Sequence, residues 1–394
     1  RPFGELDAAM GIAADDWWMT DERGQKRSFM NMWLDHVGDE AFNLAAEPKP
    51  EDFARMSFPI LSVTGFYDDD QPGALRYYRR HMRYAVAAAQ AQHYLVIGPW
   101  DHGGTQNPVK VIDGLRIPEA AVIDMGKLHA DWYDAVLGRG PMPALLHDKV
   151  SYFMLGADEW RYAPSLAAAS SGATVTFYLA DPEGTPRDLF QSGRLAPAPR
   201  RSEPPAVIVS DPHELPELSV AKYTTDEDAT SQFRGLQPRA ISFHSEALPS
   251  ATELAGQMRL TLVCQADAPD FDLWAQVLMV SPDGSSVRLG EDIRRARFRH
   301  GPFKEELLKP HEIIEIPFEF NWAARRIPAG ARLRLTIAPL NSPNYQKNYN
   351  AGGRSGYETL ADARIANIEI FHDAKHPSRL VLPLAAAAPT SPSH

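Results

Sequence analysis

The chain has 394 residues, of which 44% are hydrophobic and 23% charged, a composition typical of a globular protein with two or three domains. Its formal net charge of −11, from 40 basic and 51 acidic residues, argues against nucleic acids and anionic membranes as partners, because both attract basic patches. The single cysteine, Cys264, excludes an internal disulfide, and no apolar run approaches the roughly 18 residues of a membrane-spanning helix.

Residues 1–50 are rich in aromatic residues and methionines at helical spacing, which predicts short packed helices. Three tryptophans stand out in this segment: Trp17, Trp18 and Trp33. They either form part of a small core or line a substrate pocket. A proline-rich linker, Glu47–Pro50, leads into the next segment.

A strand–helix–strand unit follows the linker. Pro59–Thr64 and Tyr94–Ile97 are short apolar runs that predict buried strands, and Gly73 to about Gln90 has apolar residues at helical spacing. Strands joined by one helix lie parallel, so the loops after both strands meet at the carboxyl edge of the sheet, where open α/β sheets bind ligands. The first loop carries Asp68, Asp69 and Asp70, and the second carries His102.

An acid and an imidazole at one sheet edge can perform proton transfer. The carboxylate accepts the Nδ1–H of the histidine, fixes its tautomer and stabilises the imidazolium. In α/β-hydrolases the triad residues occur in the order Ser, Asp, His. Asp68 and His102 fit the last two places; the alternative is a solvated acidic loop and a histidine that caps a strand.

The motifs GFYD at 65–68 and GPWDH at 98–102 resemble those of the cocaine esterase / X-Pro dipeptidyl-peptidase family of α/β-hydrolases, which includes α-amino-acid ester hydrolases and cephalosporin acylases. In that family G-[WF]-[YW]-D carries the triad Asp and G-P-W-x-H carries the triad His. The resemblance implies that Asp68 and His102 are catalytic. It also implies that residues 1–50 are the end of a helical cap.

The nucleophile is not apparent in the sequence. No G-x-S-x-G motif occurs, and in the resembling family the serine precedes the Asp. We therefore expect the nucleophile and the oxyanion donors to lie in an N-terminal half outside this chain, which alone should be inactive. A fragment, a partner polypeptide and a true pseudoenzyme are the alternatives.

Asp70 raises a separate question about substrate binding. In the resembling amino-ester hydrolases, a carboxylate two residues after the triad Asp helps to bind the substrate's α-ammonium group, and Asp70 has that place. The next carboxylate of the family is replaced by Gln71, and the loop before Gly73 is one residue shorter. Asp70 is alternatively a charge at a helix N-terminus, favourable against the helix dipole.

From Val150 onwards, short strands separated by Pro- and Gly-rich turns predict a β-sandwich that begins with Val150–Gly156. GQMRLTL at 256–262, DFDL at 270–273 and PAGARLRL at 328–335 resemble the jelly-roll domain that ends this family. The predicted fold class is therefore α/β plus all-β, the C-terminal half of an α/β-hydrolase domain followed by a jelly roll. The predicted segments are 1–50, 51–148, 149–384 and a disordered tail at 385–394.

The expected function is that of a serine hydrolase acting on a small-molecule ester, an amide or a short peptide. No H-E-x-x-H or C-x-x-C pattern occurs, so neither a metal nor a cofactor is expected. The alternative is a non-catalytic binding protein that uses the jelly roll, with Trp274 or Trp322 as an aromatic platform unless both are core residues. The sequence is compatible with a homo-oligomer and leaves cytoplasm, periplasm and secretion open.

Overall fold

The structure is a computed structural model that describes residues 18–20, 26–28, 33–181, 192–214, 239–340 and 345–386. Its strands are β1 (Trp18–Thr20), β2 (Lys26–Ser28), β3 (Ile60–Gly65), β4 (His93–Gly98), β5 (Val111–Ile112), β6 (Leu115–Arg116), β7 (Val150–Met154), β8 (Glu159–Ala163), β9 (Thr174–Ala180), β10 (Gly193–Ala196), β11 (Ala206–Ser210), β12 (Ile241–Ser245), β13 (Thr252–Ala266), β14 (Asp272–Val280), β15 (Ser286–Arg295), β16 (Ile314–Ile327), β17 (Arg332–Pro339), β18 (Ala366–Phe371) and β19 (Arg379–Pro383). Its α-helices are α1 (Glu40–Asn43), α2 (Pro50–Arg55), α3 (Gln71–Tyr84), α4 (Ala87–Gln90), α5 (Met125–Val136) and α6 (Leu166–Ala169). Short 3₁₀ turns occur at Gly103–Thr105, Glu119–Ala121, Ala144–Leu146, Ala296–Phe298 and Leu360–Asp362.

The start of the chain differs from the helices predicted for residues 1–50. β1 and β2 pair as an antiparallel ribbon with Trp18 opposite Ser28, and among the described residues of the segment the helix α1 comes later in the chain. The aromatic and Thr content of β1 suits an extended strand as well as a helix, so apolar density alone was a poor guide here. Trp17 and the tail at 387–394 lie outside the described residues.

The predicted strand–helix–strand unit is confirmed. β3 and β4 are parallel neighbours in a four-stranded sheet of order β3-β4-β7-β8, and α3 is the crossover between them. The helix is shorter than predicted: it ends at Tyr84, and the chain turns at Ala85 before the separate helix α4. β3 lies at one edge of this sheet.

The assignment of Val150–Gly156 to the sandwich is wrong. β7 is parallel to β4, with Val150 opposite Leu95, and β8 returns antiparallel beside β7. All five residues of β7 are buried, as expected for a strand covered on both faces. Both strands therefore extend the sheet that carries Asp68 and His102.

Two apolar layers cover the four-stranded sheet because successive residues of a strand point to opposite faces. Leu95 and Ile97 of β4 belong to the cluster that also contains Phe66 and Trp322. Val96 belongs to the cluster on the other face, which includes residues of α5 and buried Trp100. The first cluster includes residues of the C-terminal β region, so the two parts of the chain are joined by this apolar cluster.

The C-terminal region is an eleven-stranded, mostly antiparallel network within the described residues, in which β13 pairs with β16, β18 and β19. Its core is an apolar cluster from the inward faces of these strands. Trp274 is 3% exposed and Trp322 is 1% exposed, so neither forms the exposed platform that a sugar-binding role would need. Cys264 is fully buried, and burial raises its pKa to about 12.

A bidentate ion pair joins the two regions. Arg161 of β8 donates from both terminal nitrogens to the carboxylate of Glu253 on β13, at 2.6 and 2.9 Å. Within the described residues, no helix combines the length and the apolar character needed to cross a bilayer.

Candidate active site

The acid loop after β3 and the histidine loop after β4 are tied together by their backbones. The amide of Phe66 donates to the carbonyl of Gly98 at 2.9 Å, and the amide of Tyr67 donates to the carbonyl of Trp100 at 3.0 Å. Gly65 permits this approach, because a Cβ there would lie 2.0 Å from the Trp100 carbonyl oxygen. The close contact explains why glycine ends the first strand.

Asp68 is buried, with 4% of its surface exposed, and donors surround its carboxylate. Oδ2 accepts the hydroxyl of Thr64 at 3.0 Å, and Oδ1 accepts the backbone amide of Asp70 at 3.0 Å. Oδ1 also accepts Nδ1 of His102 at 3.1 Å. A carboxylate with these donors is fixed in orientation, so the side chain meets the imidazole without rearrangement.

His102 presents its imidazole to solvent, with 65% of the side chain exposed. Because the carboxylate of Asp68 only accepts, the proton lies on Nδ1 and Nε2 is the basic nitrogen. The hydrogen bond that His102 donates to Asp68 raises the pKa of His102, and the charges of Asp68, Asp70 and Asp101 add to this rise. Within the described part of the chain, no hydroxyl or thiol hydrogen bonds to this imidazole.

Asp70 lies on the open side of the pair. Its carboxylate is 79% exposed, and Oδ2 is 3.4 Å from Nδ1 of His102. It immediately precedes α3 but makes no side-chain capping bond, so its contribution to the helix is limited to charge. The donor atoms of Asp68, Asp70 and His102 lie within 4.8 Å of one another, a spacing that could also hold a metal ion.

Two residues that the sequence did not single out as functional hold the acid loop from the other side. Asn321 of β16 donates from Nδ2 to the carbonyl of Asp68 at 3.0 Å and to that of Phe66 at 3.4 Å. The side chain of Gln71 pairs with both backbone groups of Trp322, donating to its carbonyl at 2.8 Å and accepting its amide at 2.6 Å. The one sequence signal was Gln71, which stands where the resembling family has a carboxylate.

The sequence predicts either a small core or a substrate pocket around Trp17, Trp18 and Trp33. Trp18 begins β1, and Trp33 is 54% exposed. The next residues dock on the C-terminal region, since Asp35 pairs with Arg354 at 2.7 Å. A pocket role for these tryptophans stays a prediction.

A cavity of about 310 Å³ opens between the acid loop and the C-terminal region. Phe66, Tyr67 and Asp69 line it from the loop, and Arg288 and Tyr345 are among the residues that line it from the other side. Asp68 and His102 do not line this cavity in the described part of the chain.

Comparison with known proteins gives consistent results. Residues 146–381 match the family model described as the X-Pro dipeptidyl-peptidase C-terminal non-catalytic domain. The chain is 26% identical over 339 residues to the cocaine esterase of Rhodococcus sp. (strain MB1 Bresler), and the match covers 84% of this chain and 57% of that protein. The chain thus spans little more than half the length of this relative.

Solved structures share the fold. An aminopeptidase from the marine sediment archaeon Thaumarchaeota archaeon matches with a TM-score of 0.77 at 17% identity, covering 97% of this chain and 62% of that one. An α-amino acid ester hydrolase matches with a TM-score of 0.72 at 18% identity, covering 90% of this chain and 60% of that one. A CocE/NonD family hydrolase from Staphylococcus aureus matches with a TM-score of 0.61.

Proposed function

The chain belongs to the cocaine esterase / X-Pro dipeptidyl-peptidase family of α/β-hydrolases, and from that premise we propose that it supplies the acid and the base of a serine hydrolase. The observation that carries the proposal is the bond between Nδ1 of His102 and buried Asp68, at 3.1 Å, with the imidazole exposed on its other side. A structural histidine has no need of an exposed ring beside a buried, fully hydrogen-bonded carboxylate.

The proposed chemistry is acyl transfer to water. His102 takes the proton of the nucleophilic hydroxyl on Nε2 while the hydroxyl oxygen attacks the carbonyl carbon of the substrate. The imidazolium then returns that proton to the leaving alcohol or amine as the carbon–heteroatom bond breaks. Water repeats the sequence on the acyl-enzyme, and Asp68 keeps the imidazole oriented and stabilises its positive charge throughout.

We place the nucleophilic serine outside these 394 residues. The sequence has no G-x-S-x-G motif, and the matched relative is considerably longer than the chain. β3 is at the edge of the sheet, where a further parallel strand can add with its own carboxyl-end loop next to Asp68. For the C-terminal strands we retain the jelly-roll connectivity that the family resemblance implies.

The substrate class we propose is a small ester, an amide or a short peptide. The relatives named above include a cocaine esterase, an α-amino acid ester hydrolase and an aminopeptidase, all of which act on acyl groups. Asp70, exposed at 3.4 Å from the imidazole, is suited to bind the ammonium group of an amino-acyl substrate.

The test is labelling by a fluorophosphonate probe, followed by peptide mapping and by hydrolysis of p-nitrophenyl esters. We expect no label on this chain alone. With a polypeptide that carries the proposed nucleophile included, we expect one labelled serine, and His102→Ala should lower kcat by at least about a thousandfold. A labelled serine within the 394 residues, or near-normal turnover in His102→Ala, would overturn the proposal. Hydrolysis lost to EDTA and restored by a metal would instead assign the three donors to a metal site.

The pH profile provides a second test. Since Asp68 raises the pKa of His102, the acidic limb of the kcat/KM profile should lie above the value of about 6.5 for a free imidazole. Activity is expected above that pKa and is lost as the pH falls through it. Asp68→Asn should move the limb to lower pH; an unmoved limb would show that this pair does not control catalysis.

A further inference from the structure

We infer that Asn321 and Gln71 are positioning residues for the Asp68–His102 pair, so that a strand of the region classed as non-catalytic in this family sets the geometry of the acid. The catalytic meaning of this inference rests on the function proposed above. The positional claim concerns only contacts within the described residues, and it can be tested separately.

Asn321 acts on the backbone of the acid loop. Its amide nitrogen reaches the carbonyls of Phe66 and Asp68, which flank Tyr67, at 3.4 and 3.0 Å. These two bonds hold the loop at the residue whose side chain must meet His102. Asn321 is part of β16 and lies at an irregularity of its pairing with β13, between the paired residues Glu319 and Trp322, so ladder pairs flank the donor on both sides.

Gln71 acts at the end of the same loop and is 1% exposed. Its Nε2 donates to the carbonyls of Gly65 and Trp322, both at 2.8 Å, while its Oε1 accepts the Trp322 amide at 2.6 Å. Only an amide side chain can donate twice and accept once in this way, because a carboxylate has no hydrogen to donate. The three bonds join both ends of the loop to β16, which gives a physical reason for glutamine at position 71.

The strand that holds the loop is itself packed against the α/β part. The ring of Trp322 is 5.3 Å from that of Tyr152 on β7 and 6.1 Å from that of Phe66, measured between centroids. Its Nε1 donates to the hydroxyl of Ser170 at 2.8 Å. β16 is therefore packed against the sheet from which the loop emerges, and the same strand donates and accepts the bonds to the loop.

Loss of these bonds should change the pKa of His102. Asp68 meets the imidazole through one bond of 3.1 Å, so a small rotation of the loop lengthens that bond and weakens the electrostatic pairing. The appropriate variants are Asn321→Leu and Gln71→Met, which keep the approximate shape and remove the hydrogen bonds. They also add no charge, which would itself change the titration of His102.

The experiment measures the pKa of His102 in the 394-residue chain by NMR of histidines labelled at Cε1, with the resonance assigned by His102→Gln. Asp68→Asn defines the full effect of losing the acid. We expect Asn321→Leu and Gln71→Met each to lower the pKa of His102 by about 0.3 to 1 unit, in the direction of Asp68→Asn. The control is Ser378→Ala, because Ser378 is fully buried in the C-terminal region and bonds Val263 and Phe371 far along the chain from the loop.

A merely structural role predicts a different pattern. Both positioning variants and the control would then lower the melting temperature and leave the titration of His102 in place, and this result would overturn the inference. If Gln71→Met does not fold, Asn321→Leu alone provides the test. Asn321 is only partly buried, so its replacement is less disruptive to folding. If Asp68→Asn does not move the titration, the acid–base pair itself fails. If the titration moves as expected but the complete protein hydrolyses nothing, the positional inference stands and the proposed function fails.

Discussion

A buried pair of histidines between α3 and the strands β3 and β4 should make the stability of the fold sensitive to acid. His93 begins β4 and His81 lies on α3; both are fully buried, and their Nδ1 atoms are 3.1 Å apart. Nε2 of His93 is 2.9 Å from the hydroxyl of Ser62 on β3. Burial, together with the neighbouring imidazole, lowers the pKa of His93 to about 3.

The sign of the effect follows from linkage. The unfolded chain binds a proton at His93 near pH 6.5, whereas the folded chain resists it down to a pKa of about 3. The contribution of His93 is therefore fully present above pH 6.5 and is lost as the pH falls from there towards 3. Between pH 7.5 and 4.5 the loss is about two pKa units at about 1.36 kcal/mol each, or about 2.7 kcal/mol of unfolding free energy.

The assay is urea denaturation at steps between pH 7.5 and 4.5, with His93→Gln as the variant in which residue 93 cannot bind a proton. We expect the wild type to lose about 2.7 kcal/mol more than His93→Gln over this interval. Ser62→Ala is the control, because it removes a hydrogen bond to His93 but keeps the titrating ring. Its unfolding free energy should be lower than that of the wild type at every pH and should fall with pH equally steeply. Equal pH dependence in the wild type and His93→Gln would refute the reasoning.

Three further predictions concern the site and the joint between the two regions. Gly65→Ala should lower the melting temperature by several degrees or prevent folding, because the new Cβ would meet the Trp100 carbonyl oxygen at 2.0 Å; an unchanged melt would contradict this close approach. Arg161→Met should cost about 1 to 2 kcal/mol in urea denaturation, since its bidentate pair with Glu253 is only partly exposed, and a neutral effect would show that solvent screens the pair. In an assay that includes the proposed nucleophile, Asp70→Asn should raise KM for α-amino esters at least about fivefold more than for simple acyl esters, and an equal change for both would exclude ammonium binding.

The sequence was sufficient for the parts of the site that depend on local signals. The strands β3 and β4 are short apolar runs that end in glycine, and the crossover helix made them parallel, so Asp68 and His102 could be expected at one edge. The structure brings these two residues together as expected. Only one helix separates the two strands, so local sequence patterns were enough to predict that the two loops lie at the same edge of the sheet.

The contributions of Gln71 and Asn321 could not be obtained in this way. Gln71 bonds a residue 251 positions away, and no local pattern encodes which backbone groups a distant strand will present. The place of β7 also depends on tertiary structure: all five residues of Val150–Met154 are buried, as expected for a strand inside a sheet that is covered on both faces, but Ser151 interrupts the apolar run in the sequence.

The backbone bonds between the acid loop and the histidine loop have a consequence for sequence change in this protein. Because the amides of Phe66 and Tyr67 meet the carbonyls of Gly98 and Trp100, the separation of acid and base is a property of the main chain. Substitutions of the partly buried Tyr67, which lines the adjoining cavity, keep its backbone amide and leave that separation intact. A one-residue insertion in either loop would disrupt it, so libraries aimed at new substrates should vary side chains here and keep both loop lengths constant.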